Sequence, residues 1–462
     1  TRLGDGTNAL LQLEAYLATD PANPEVIGRY YQEKEALETR SISVASAIAT
    51  LDGFREQYPD HALASWASWR TAVLADRFQG EYASAVTRYL SHATTYPQDE
   101  NATEAQFRAG MLAWGLKDTE AALSAWELAA AQTGEWSRAA QVWLITALPA
   151  EEATPYLATA AQARGADYYT LRARDLGEGL PAYAPPATLN LDDFDETAAR
   201  LEVEQWIRTH FGLAEDATVQ SELAPGLAND PRVIRGTILW QIGLYDEAKR
   251  ELEAVRLAYA DNAQLSYQLA LYFRDLGLYR SSILAAVAVL TRAGVTVYEA
   301  PPLIGRLAYP VYYNDLLVPL ADQYGYDPLL HFALLRQESL FEGFATSTAL
   351  AQGLGQVIPA TGEYIALKLG WPNYVNEDLY RPYINLAFAA FYLDEQLRGF
   401  EGNTAAALAA YNAGPGNAIR WRNQAGDNHD LYLETVNFNE TRLYIRNIYV
   451  WHAAYRYLYS AE

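Results

Sequence analysis

The stretch HFALLRQESLFEGFATSTALAQGLGQVIPATG, from His331 to Gly362, joins a helix-like segment to a loop rich in glycine and small polar residues. Just upstream, Asp327 has the residue type of a helix N-cap and Pro328 that of a first helical turn, so a helix is predicted to begin here. Glu338 follows Leu334 by four positions, which places its carboxylate on the apolar stripe of this amphipathic helix. A carboxylate on the face that normally packs against the core needs an explanation.

Two physical effects are expected to raise the pKa of Glu338. Burial disfavours the charged form of a carboxyl group, and the dipole at a helix C-terminus disfavours negative charge. A glutamic acid that stays protonated near neutral pH is what a general acid requires. The helix by itself leaves open the alternative of a partly exposed glutamate without a catalytic role.

The composition sets limits on the fold. A chain of 462 residues is too long for one core, so two or three domains are expected, and a hydrophobic content of 50% indicates a folded protein. The longest apolar run, Ile283–Leu290, is far too short for a transmembrane segment. The chain has no cysteine, and its six histidines form no close pair, so neither a disulfide nor a zinc site is predicted.

The chain is strongly acidic, with 34 basic and 57 acidic residues and a formal net charge of −23. The residues from 301 onward hold 16 acidic and 10 basic side chains, a net of −6, so the first 300 residues carry −17. Phosphate backbones and anionic lipid repel such a chain, which argues against nucleic acid as a partner. We interpret the acidic excess as a contribution to solubility.

A weak internal repeat runs through the first 300 residues, which have helical periodicity. The stretches RFQGEYASAV, WQIGLYDEAKREL and FRDLGLYRSSIL share a glycine, then a tyrosine two positions later, then a small residue three positions further on. Gly80 lies 35 positions before Gly115, where a less regular form of the same pattern occurs. Gly243 lies 34 positions before Gly277. The pattern resembles the tetratricopeptide repeat, which implies a solenoid of helical hairpins with the tyrosine packed between neighbours. A generic array of α-hairpins is the alternative.

Two stretches interrupt the helical pattern and suggest domain boundaries. The first, LPAYAPPATLNLDDFDE at 180–196, has three prolines followed by a run of acids, and the second is AGVTVYEAPPLIGRLAYPVYY at 293–313. We therefore predict an N-terminal α-superhelical domain at 1–185, a second helical-repeat block that acts as a linker at 186–300, and a last domain at 301–462.

Three motifs in the last domain resemble, in order, those of the soluble lytic transglycosylases. They are ESLFEGFATSTALAQGLGQVIPATG, then AALAAYNAGPGNAIRW at Ala406–Trp421, then YLETVNFNETRLYIRNIYVWHAAYRYLY at Tyr432–Tyr459. Members of this family are bacterial enzymes that cleave the glycan strands of peptidoglycan on a goose-lysozyme-like helical fold. The resemblance implies an all-α protein, with a tetratricopeptide-like α-helical solenoid followed by a lysozyme-like catalytic domain.

The resemblance also implies the site residues. Glu338 matches the single catalytic acid/base, and Ser347 matches a serine that hydrogen-bonds either that carboxylate or sugar. Gln356 matches the glutamine that closes the glycine-rich turn and contacts substrate. Tyr411 and Asn412 match the pair in AYNAG, with the tyrosine hydroxyl near the glycosidic bond. Taken alone, Tyr411 could equally be a packed aromatic residue with a satisfied hydroxyl.

Glu440 matches the second acid of the family pattern. Asn439 has the residue type of an N-cap, so Glu440 is predicted at a helix start, where the dipole favours the ionised form. We interpret Glu440 as a binding and electrostatic residue that complements a protonated Glu338. A purely structural acid at a helix start is the alternative.

The mechanism implied by the family uses one glutamate twice. Glu338 protonates the β-1,4 bond between N-acetylmuramic acid and N-acetylglucosamine, and then accepts a proton from the sugar's own 6-hydroxyl, which attacks the anomeric carbon. The product carries a 1,6-anhydromuramic end, no water is consumed, and neither metal nor cofactor is required. This differs from the usual scheme with two carboxylates.

The sequence departs from the family pattern at two places in the glycine-rich loop. Gly355 stands where the family usually has a methionine that lines a sugar subsite, in GLGQ instead of GLMQ. Leu350 and Ala351 stand where a glycine–alanine pair is usual. The loop and the subsites are therefore expected to differ in shape from those of the family, although the catalytic set is complete.

Two other functions remain as alternatives. One is a lysozyme-type hydrolase on the same fold, and the other is a non-catalytic repeat scaffold that holds peptidoglycan strands or a protein partner. Protein partners of the repeats stay open. Since peptidoglycan lies outside the cytoplasmic membrane, we expect an exported bacterial protein of the periplasm or cell envelope. The start at Thr1 without methionine is interpreted as a trimmed form.

Overall fold

The computed structural model describes residues 6–162, 165–191, 193–214 and 219–461. Within these ranges the regular secondary structure is helical, and extended pairing is limited to three isolated bridges. The predicted all-α class is therefore confirmed. In the same ranges, no helix is both long enough and apolar enough to cross a lipid bilayer.

The helices follow one another with short connections. The α-helices are α1 Gly6–Thr19, α2 Pro24–Ser41, α3 Val44–Gln57, α4 Ala64–Leu74, α5 Tyr82–Thr95, α6 Ala102–Gly115, α7 Thr119–Ala130, α8 Glu135–Ala147, α9 Ala150–Gln162, α10 Tyr168–Gly177, α11 Glu196–His210, α12 Pro225–Ala228, α13 Pro231–Gln241, α14 Tyr245–Ala258, α15 Ala263–Leu276, α16 Tyr279–Ala293, α17 Pro302–Ala308, α18 Asn314–Tyr324, α19 Pro328–Glu338, α20 Pro359–Leu369, α21 Pro382–Gly399, α22 Thr404–Ala413, α23 Pro415–Ala425, α24 His429–Thr435 and α25 Asn439–Tyr459. A π-helical turn, Ala75–Gln79, follows α4, and a 3₁₀ turn, Asn376–Tyr380, precedes α21.

The chain divides into two compact units. The first comprises residues 1–164 and 169–179, and the second comprises residues 165–168 and 180–462. In the second unit one hydrophobic core runs from Ala199 on α11 to Ala308 on α17, so it continues through residue 300. The predicted three-domain division, with boundaries at 185 and 300, stays a prediction.

The small residues of the internal repeat lie at helix contacts. The side chains of Ala85, Ala248 and Ser282 are fully buried. Gly277 ends α15 in the left-handed conformation, with φ of +84°, and so allows α16 to turn back along it. The expected packing of the tyrosine is wrong at Tyr82, which is 48% exposed. Helices of the second unit thus pair as hairpins, while the assignment to tetratricopeptide repeats stays a prediction.

Helix α19 is the central helix of the second half of unit two. Asp327 is its N-cap, because the side chain accepts a hydrogen bond from the Leu329 N–H at 2.9 Å, and Pro328 occupies the first turn. Every residue from Pro328 to Arg336 is buried. The predicted amphipathic pattern is therefore wrong for this helix, since other helices cover it on all sides and its polar residues need internal partners. Arg336 finds one by donating from Nε to the Ala308 carbonyl at 3.0 Å.

The last helix, α25, runs beside α19 and returns to the start of the second unit. Near its end, the Tyr459 carbonyl accepts a hydrogen bond from the Asn190 N–H at 2.8 Å. The Ala461 N–H in turn donates to the Thr188 carbonyl at 2.9 Å. These bonds form a short antiparallel bridge, which we call the terminal bridge, between residues 188–190 and 459–461.

Candidate active site

Glu338 is the last residue of α19, and its side chain is only partly exposed. The Tyr444 hydroxyl on α25 donates a hydrogen bond to Glu338 Oε1 at 2.5 Å. Burial raises the pKa of the Glu338 carboxyl from its ordinary 4.5 to about 7, although the hydrogen bond from Tyr444 acts in the opposite direction. Desolvation therefore outweighs the stabilisation of the carboxylate, and a substantial fraction of the group is protonated at neutral pH.

The backbone turns sharply immediately after Glu338. Ser339 caps the helix and donates from Oγ to the Leu354 carbonyl at 2.7 Å, which ties the helix end to the glycine-rich loop. Leu340 and Phe341 then both adopt left-handed conformations, with φ of +52° and +62°. Two consecutive residues of this kind cost on the order of 1 kcal/mol each, so the surrounding contacts must maintain the turn.

Asn385 on α21 holds the glycine-rich loop from inside the protein. Its side chain is fully buried, and Oδ1 accepts the Gly355 N–H at 2.7 Å. Its Nδ2 donates to the carbonyls of Gln352 at 2.9 Å and Leu379 at 2.8 Å. Gly353 must be glycine here, because an added Cβ would lie 2.1 Å from the Leu379 carbonyl oxygen.

Tyr411 and Glu338 approach the same side of this loop. The Tyr411 hydroxyl donates to the Gly355 carbonyl at 2.8 Å. Burial raises the pKa of Tyr411 well above 10, and the negative charge of a nearby ionised Glu338 raises it further. Tyr444 in contact with the carboxyl and Tyr411 near it are thus both neutral hydroxyl groups.

Ser347 and Gln356 stabilise the loop through its own backbone. Ser347 Oγ accepts the N–H groups of Ala349 at 3.2 Å and Ala351 at 3.0 Å. Gln356 is left-handed, with φ of +48°, and its Nε2 donates to the Gly353 carbonyl at 2.8 Å. In this structure both side chains shape the loop that borders the Glu338 site.

Asn412 and Glu440 belong to the junction between α22 and α25. Asn412 Oδ1 accepts a hydrogen bond from Thr441 Oγ1 at 2.8 Å, which fixes the first turn of α25 against the end of α22. Glu440 lies exposed in that first turn. The prediction that Asn439 caps this helix is wrong, because Phe438 occupies the N-cap position without a side-chain hydrogen bond and Asn439 is already helical.

The two departures from the family pattern have physical explanations. A Cβ at Gly355 would lie 2.6 Å from Ala389 Cβ, so this backbone has no room for a side chain beside α21. Leu350 is left-handed, with φ of +63°, and its side chain is 63% exposed. That conformation explains why glycine suits the position, and it shows that leucine occupies it by pointing to solvent.

Sequence reasoning missed three residues that organise the site. Tyr444 lies four positions after Glu440, on the same face of α25, and contacts Glu338. Ser339 directly follows Glu338, and a hydroxyl residue next to the proposed acid was the available signal. Asn385 offered no local signal, because its three partners come from other segments.

The structure brings Glu338, Tyr411 and the glycine-rich loop together, as the sequence motifs suggested, and adds Tyr444. A family profile described as the transglycosylase SLT domain matches residues 318–433. This part of the chain is therefore similar to the transglycosylase SLT domain. The match includes Glu338, Ser347, Gln356, Tyr411 and Asn412, whereas Glu440 and Tyr444 lie beyond its end.

Relatives of the SLT domain agree with this assignment. The soluble lytic murein transglycosylases of Salmonella typhimurium and Escherichia coli K12 are each 31% identical over 152 residues, which is 32% of this chain and 24% of theirs. Membrane-bound lytic murein transglycosylase C of Actinobacillus pleuropneumoniae is 35% identical over 117 residues, 23% of this chain and 32% of that protein. The matched region thus spans about a quarter to a third of the length of these relatives.

The fold is shared over a much longer part of the chain. An inactive mutant of the lytic transglycosylase Slt from Pseudomonas aeruginosa superposes with a TM-score of 0.64 at 20% identity, over 98% of this chain and 68% of that one. The 70 kDa soluble lytic transglycosylase of Escherichia coli gives 0.56 at 20% identity, over 99% and 75%. These superpositions confirm the predicted fold class. The matched profile and relatives confirm the resemblance of the last domain to the soluble lytic transglycosylases.

Proposed function

We propose that this chain is a peptidoglycan lytic transglycosylase that cleaves the β-1,4 bond between N-acetylmuramic acid and N-acetylglucosamine without water. The observation that carries the proposal is the Glu338 carboxyl, whose pKa is raised to about 7 by burial while Tyr444 holds it in one orientation. A carboxyl with this pKa can give up a proton and take one back at neutral pH.

In the proposed reaction Glu338 acts first as an acid. Its proton moves to the glycosidic oxygen, the bond from that oxygen to the anomeric carbon breaks, and the leaving sugar departs as an alcohol. Glu338 is then a carboxylate, and it accepts the proton of the 6-hydroxyl while that oxygen bonds to the anomeric carbon. Protons balance over the cycle, and the attacking group is already tethered to the reacting ring, which supplies much of the rate.

The remaining predicted residues act in this proposal as substrate-binding groups. Ser347 and Gln356 shape the rim of the site, and the Tyr411 hydroxyl and the Gly355 carbonyl it bonds provide polar edges for sugar hydroxyls. Asn412 fixes the helix start that presents the exposed Glu440. Since the protein carries a net charge of −23, binding is expected to rest on hydrogen bonds and stacking on sugar faces.

The proposed substrate also implies a location. The matched relatives are named for murein, the cell-wall polymer, which lies outside the cytoplasmic membrane. We therefore infer an extracytoplasmic protein, in the periplasm or cell envelope. Partners other than glycan strands stay open.

The direct test is digestion of purified bacterial sacculi, with the products identified by mass spectrometry. Fragments that end in 1,6-anhydromuramic acid, one water lighter than their hydrolytic counterparts, are expected. Reducing ends would indicate a lysozyme-type hydrolase instead, and binding without products would favour a scaffold.

A substitution at the carboxyl complements the digestion. Glu338→Gln keeps an acceptor for Tyr444 but removes the proton donor, so cleavage is expected to fall by at least about a thousandfold. Glu363→Gln, an exposed carboxyl on α20, is the matched control and should cleave normally. Full activity in Glu338→Gln would rule out the proposed role.

A further inference from the structure

The loop that follows Glu338 is fastened at a point outside the site described above. Glu342 is only 8% exposed, and Lys249 Nζ on α14 lies 2.6 Å from its Oε1 and 2.8 Å from its Oε2. The two residues are 93 positions apart in sequence. A carboxylate buried to this degree is tolerated when it is paired, so the ion pair fixes where residue 342 lies.

Aromatic contacts fasten the same loop two residues later. Phe344 stacks on Tyr245 of α14, with ring centroids 5.5 Å apart and an interplanar angle of 16°. It also contacts Trp240 of α13 at 5.8 Å, and Lys249 Nζ lies 5.7 Å from its ring centroid. We call these five residues, Lys249, Glu342, Phe344, Tyr245 and Trp240, the loop clamp. It attaches the loop to the α13–α14 hairpin of the predicted linker block.

The loop clamp lies on a short covalent path from the reacting carboxyl. Three residues, Ser339 and the left-handed Leu340 and Phe341, separate Glu338 from Glu342, the first clamped residue. On the other side of the clamp, the Ala345 carbonyl accepts the Gly353 N–H at 2.9 Å, so the glycine-rich loop is attached to the same anchor. Both walls of the site, the end of α19 and the glycine-rich loop, therefore depend on the segment that the clamp holds.

We propose that Lys249 is a positioning residue for Glu338, acting through Glu342 to keep the strained turn after the carboxyl in place. This inference rests on the proposed function. Left-handed residues other than glycine relax when the surrounding structure no longer determines them. Loss of the ion pair leaves a buried charge in the loop, which then favours a more solvated arrangement of residues 340–345. The linker block thereby contributes to catalysis without touching substrate.

The test uses the full chain and three variants. Lys249→Met keeps most of the apolar stem and removes the charge, while Lys249→Arg keeps a cation that can reach Glu342. Arg235→Met is the matched control, because it breaks the 2.9 Å pair of Arg235 with Glu251 on the same hairpin without involving the loop. Three quantities are measured: kcat and KM on a soluble glycan fragment, the pH profile of kcat, and amide hydrogen exchange of residues 339–357.

For Lys249→Met we expect kcat to fall roughly ten- to a hundredfold with little change in KM, because the carboxyl is misplaced. The basic limb of its pH profile should move to lower pH as the carboxyl becomes more solvated. Amide hydrogen exchange of residues 339–357 should become faster than in the wild type. Lys249→Arg should restore most of kcat, and Arg235→Met should match the wild type in all three measurements.

Unchanged exchange and unchanged kcat in Lys249→Met would overturn the inference. If the wild type itself releases no anhydro product, the proposed function fails, and hydrogen exchange alone then decides whether the clamp holds the loop. If Lys249→Met does not fold, Phe344→Leu provides the second variant. It removes the stacking on Tyr245 but keeps the ion pair, and it should show a smaller acceleration of the same amides.

Discussion

At the scale of single residues, Glu338 depends on a balance between two opposing effects. Burial raises the pKa of its carboxyl to about 7, and the hydrogen bond from Tyr444 favours the ionised form and lowers it. Burial alone would favour the protonated acid more strongly, and the hydrogen bond alone would favour the carboxylate. Their combination keeps both states accessible, which a residue that serves as acid and then as base requires.

The first prediction concerns the stability of the protein rather than its activity. Because the pKa of Glu338 is higher in the folded state than the ordinary 4.5, the folded state binds this proton more tightly. The resulting stabilisation is complete below about pH 4.5 and is lost as the pH rises through about 7. Glu338→Gln cannot ionise, so relative to wild type it should gain about 2–3 kcal/mol in free energy of unfolding between pH 4.5 and 8.

This prediction can be checked by urea denaturation of both proteins at the two pH values. The comparison at pH 4.5 is the internal control, since the wild-type carboxyl is then protonated. A stability difference that stays constant with pH would mean that Glu338 is not appreciably desolvated in the folded state.

The second prediction concerns Tyr444. Tyr444→Phe removes the hydrogen bond to the carboxylate, so the pKa of Glu338 should rise above about 7. The basic limb of the pH–rate profile is expected to move up by roughly one pH unit, because hydrogen bonds to charged groups contribute about 1.5 kcal/mol or more. Tyr457→Phe, at an exposed tyrosine of α25, is the control. A shift to lower pH would contradict the proposed role of Tyr444.

At the scale of elements, the glycine-rich loop depends on one buried side chain from α21. Asn385 satisfies one backbone N–H and two backbone carbonyls of other segments. Asn385→Ala should lower the free energy of unfolding by about 2–4 kcal/mol, since three buried polar groups lose their partner. Activity should fall more steeply than stability, because Tyr411 bonds to the same loop at Gly355.

The measurement for Asn385 pairs urea denaturation with the rate of glycan cleavage. Asn417→Ala is a suitable control. The Asn417 side chain on α23 donates a hydrogen bond to the carbonyl of Ala413, the last residue of α22. Equal losses of stability in the two variants would mean that Asn385 does not organise the loop.

The elements differ in how well the sequence predicted them. The start of α19 could be predicted, because Asp327 and Pro328 act locally on their own turn. The start of α25 could not, since Asn439 has a capping residue type but lies one position inside the helix. The buried surroundings of α19 were also missed, because whether its polar face meets solvent depends on helices distant in sequence.

The site was predictable to the extent that it lies in contiguous motifs. Glu338 and Tyr411 were identified from such motifs, and the structure places both at the glycine-rich loop. Asn385 and Lys249 could not be identified, because their partners lie 30 and 93 positions away in sequence and are brought close only by tertiary packing. Residues that support a site are therefore harder to predict than those that form it.

At the scale of the whole molecule, the net charge of −23 has a consequence for the proposed substrate. Peptidoglycan carries carboxylates on its peptide stems, so enzyme and polymer repel each other at low ionic strength. Raising the salt concentration from about 0.01 to 0.2 M shortens the screening length from about 30 Å to under 10 Å. The initial rate on sacculi should therefore rise several-fold over this range.

The control for the salt experiment is peptidoglycan whose carboxylates have been amidated. Its cleavage rate should change little with salt, because no like charges are screened. A rate on sacculi that falls with salt would indicate an attractive electrostatic contribution, and a basic binding surface would then have to be sought.

The terminal bridge gives the second unit a mechanical property. Residues 188–190 and 459–461 pair as antiparallel strands do, so the polypeptide between them forms a ring closed by hydrogen bonds. A force that pulls these two ends apart loads the bridge before it stretches any helix. Separation of residues 188 and 461 should thus be the first event when this unit is extended. Once the ring is open, α25 can separate from α19, and Tyr444 then loses its hydrogen bond to the Glu338 carboxyl.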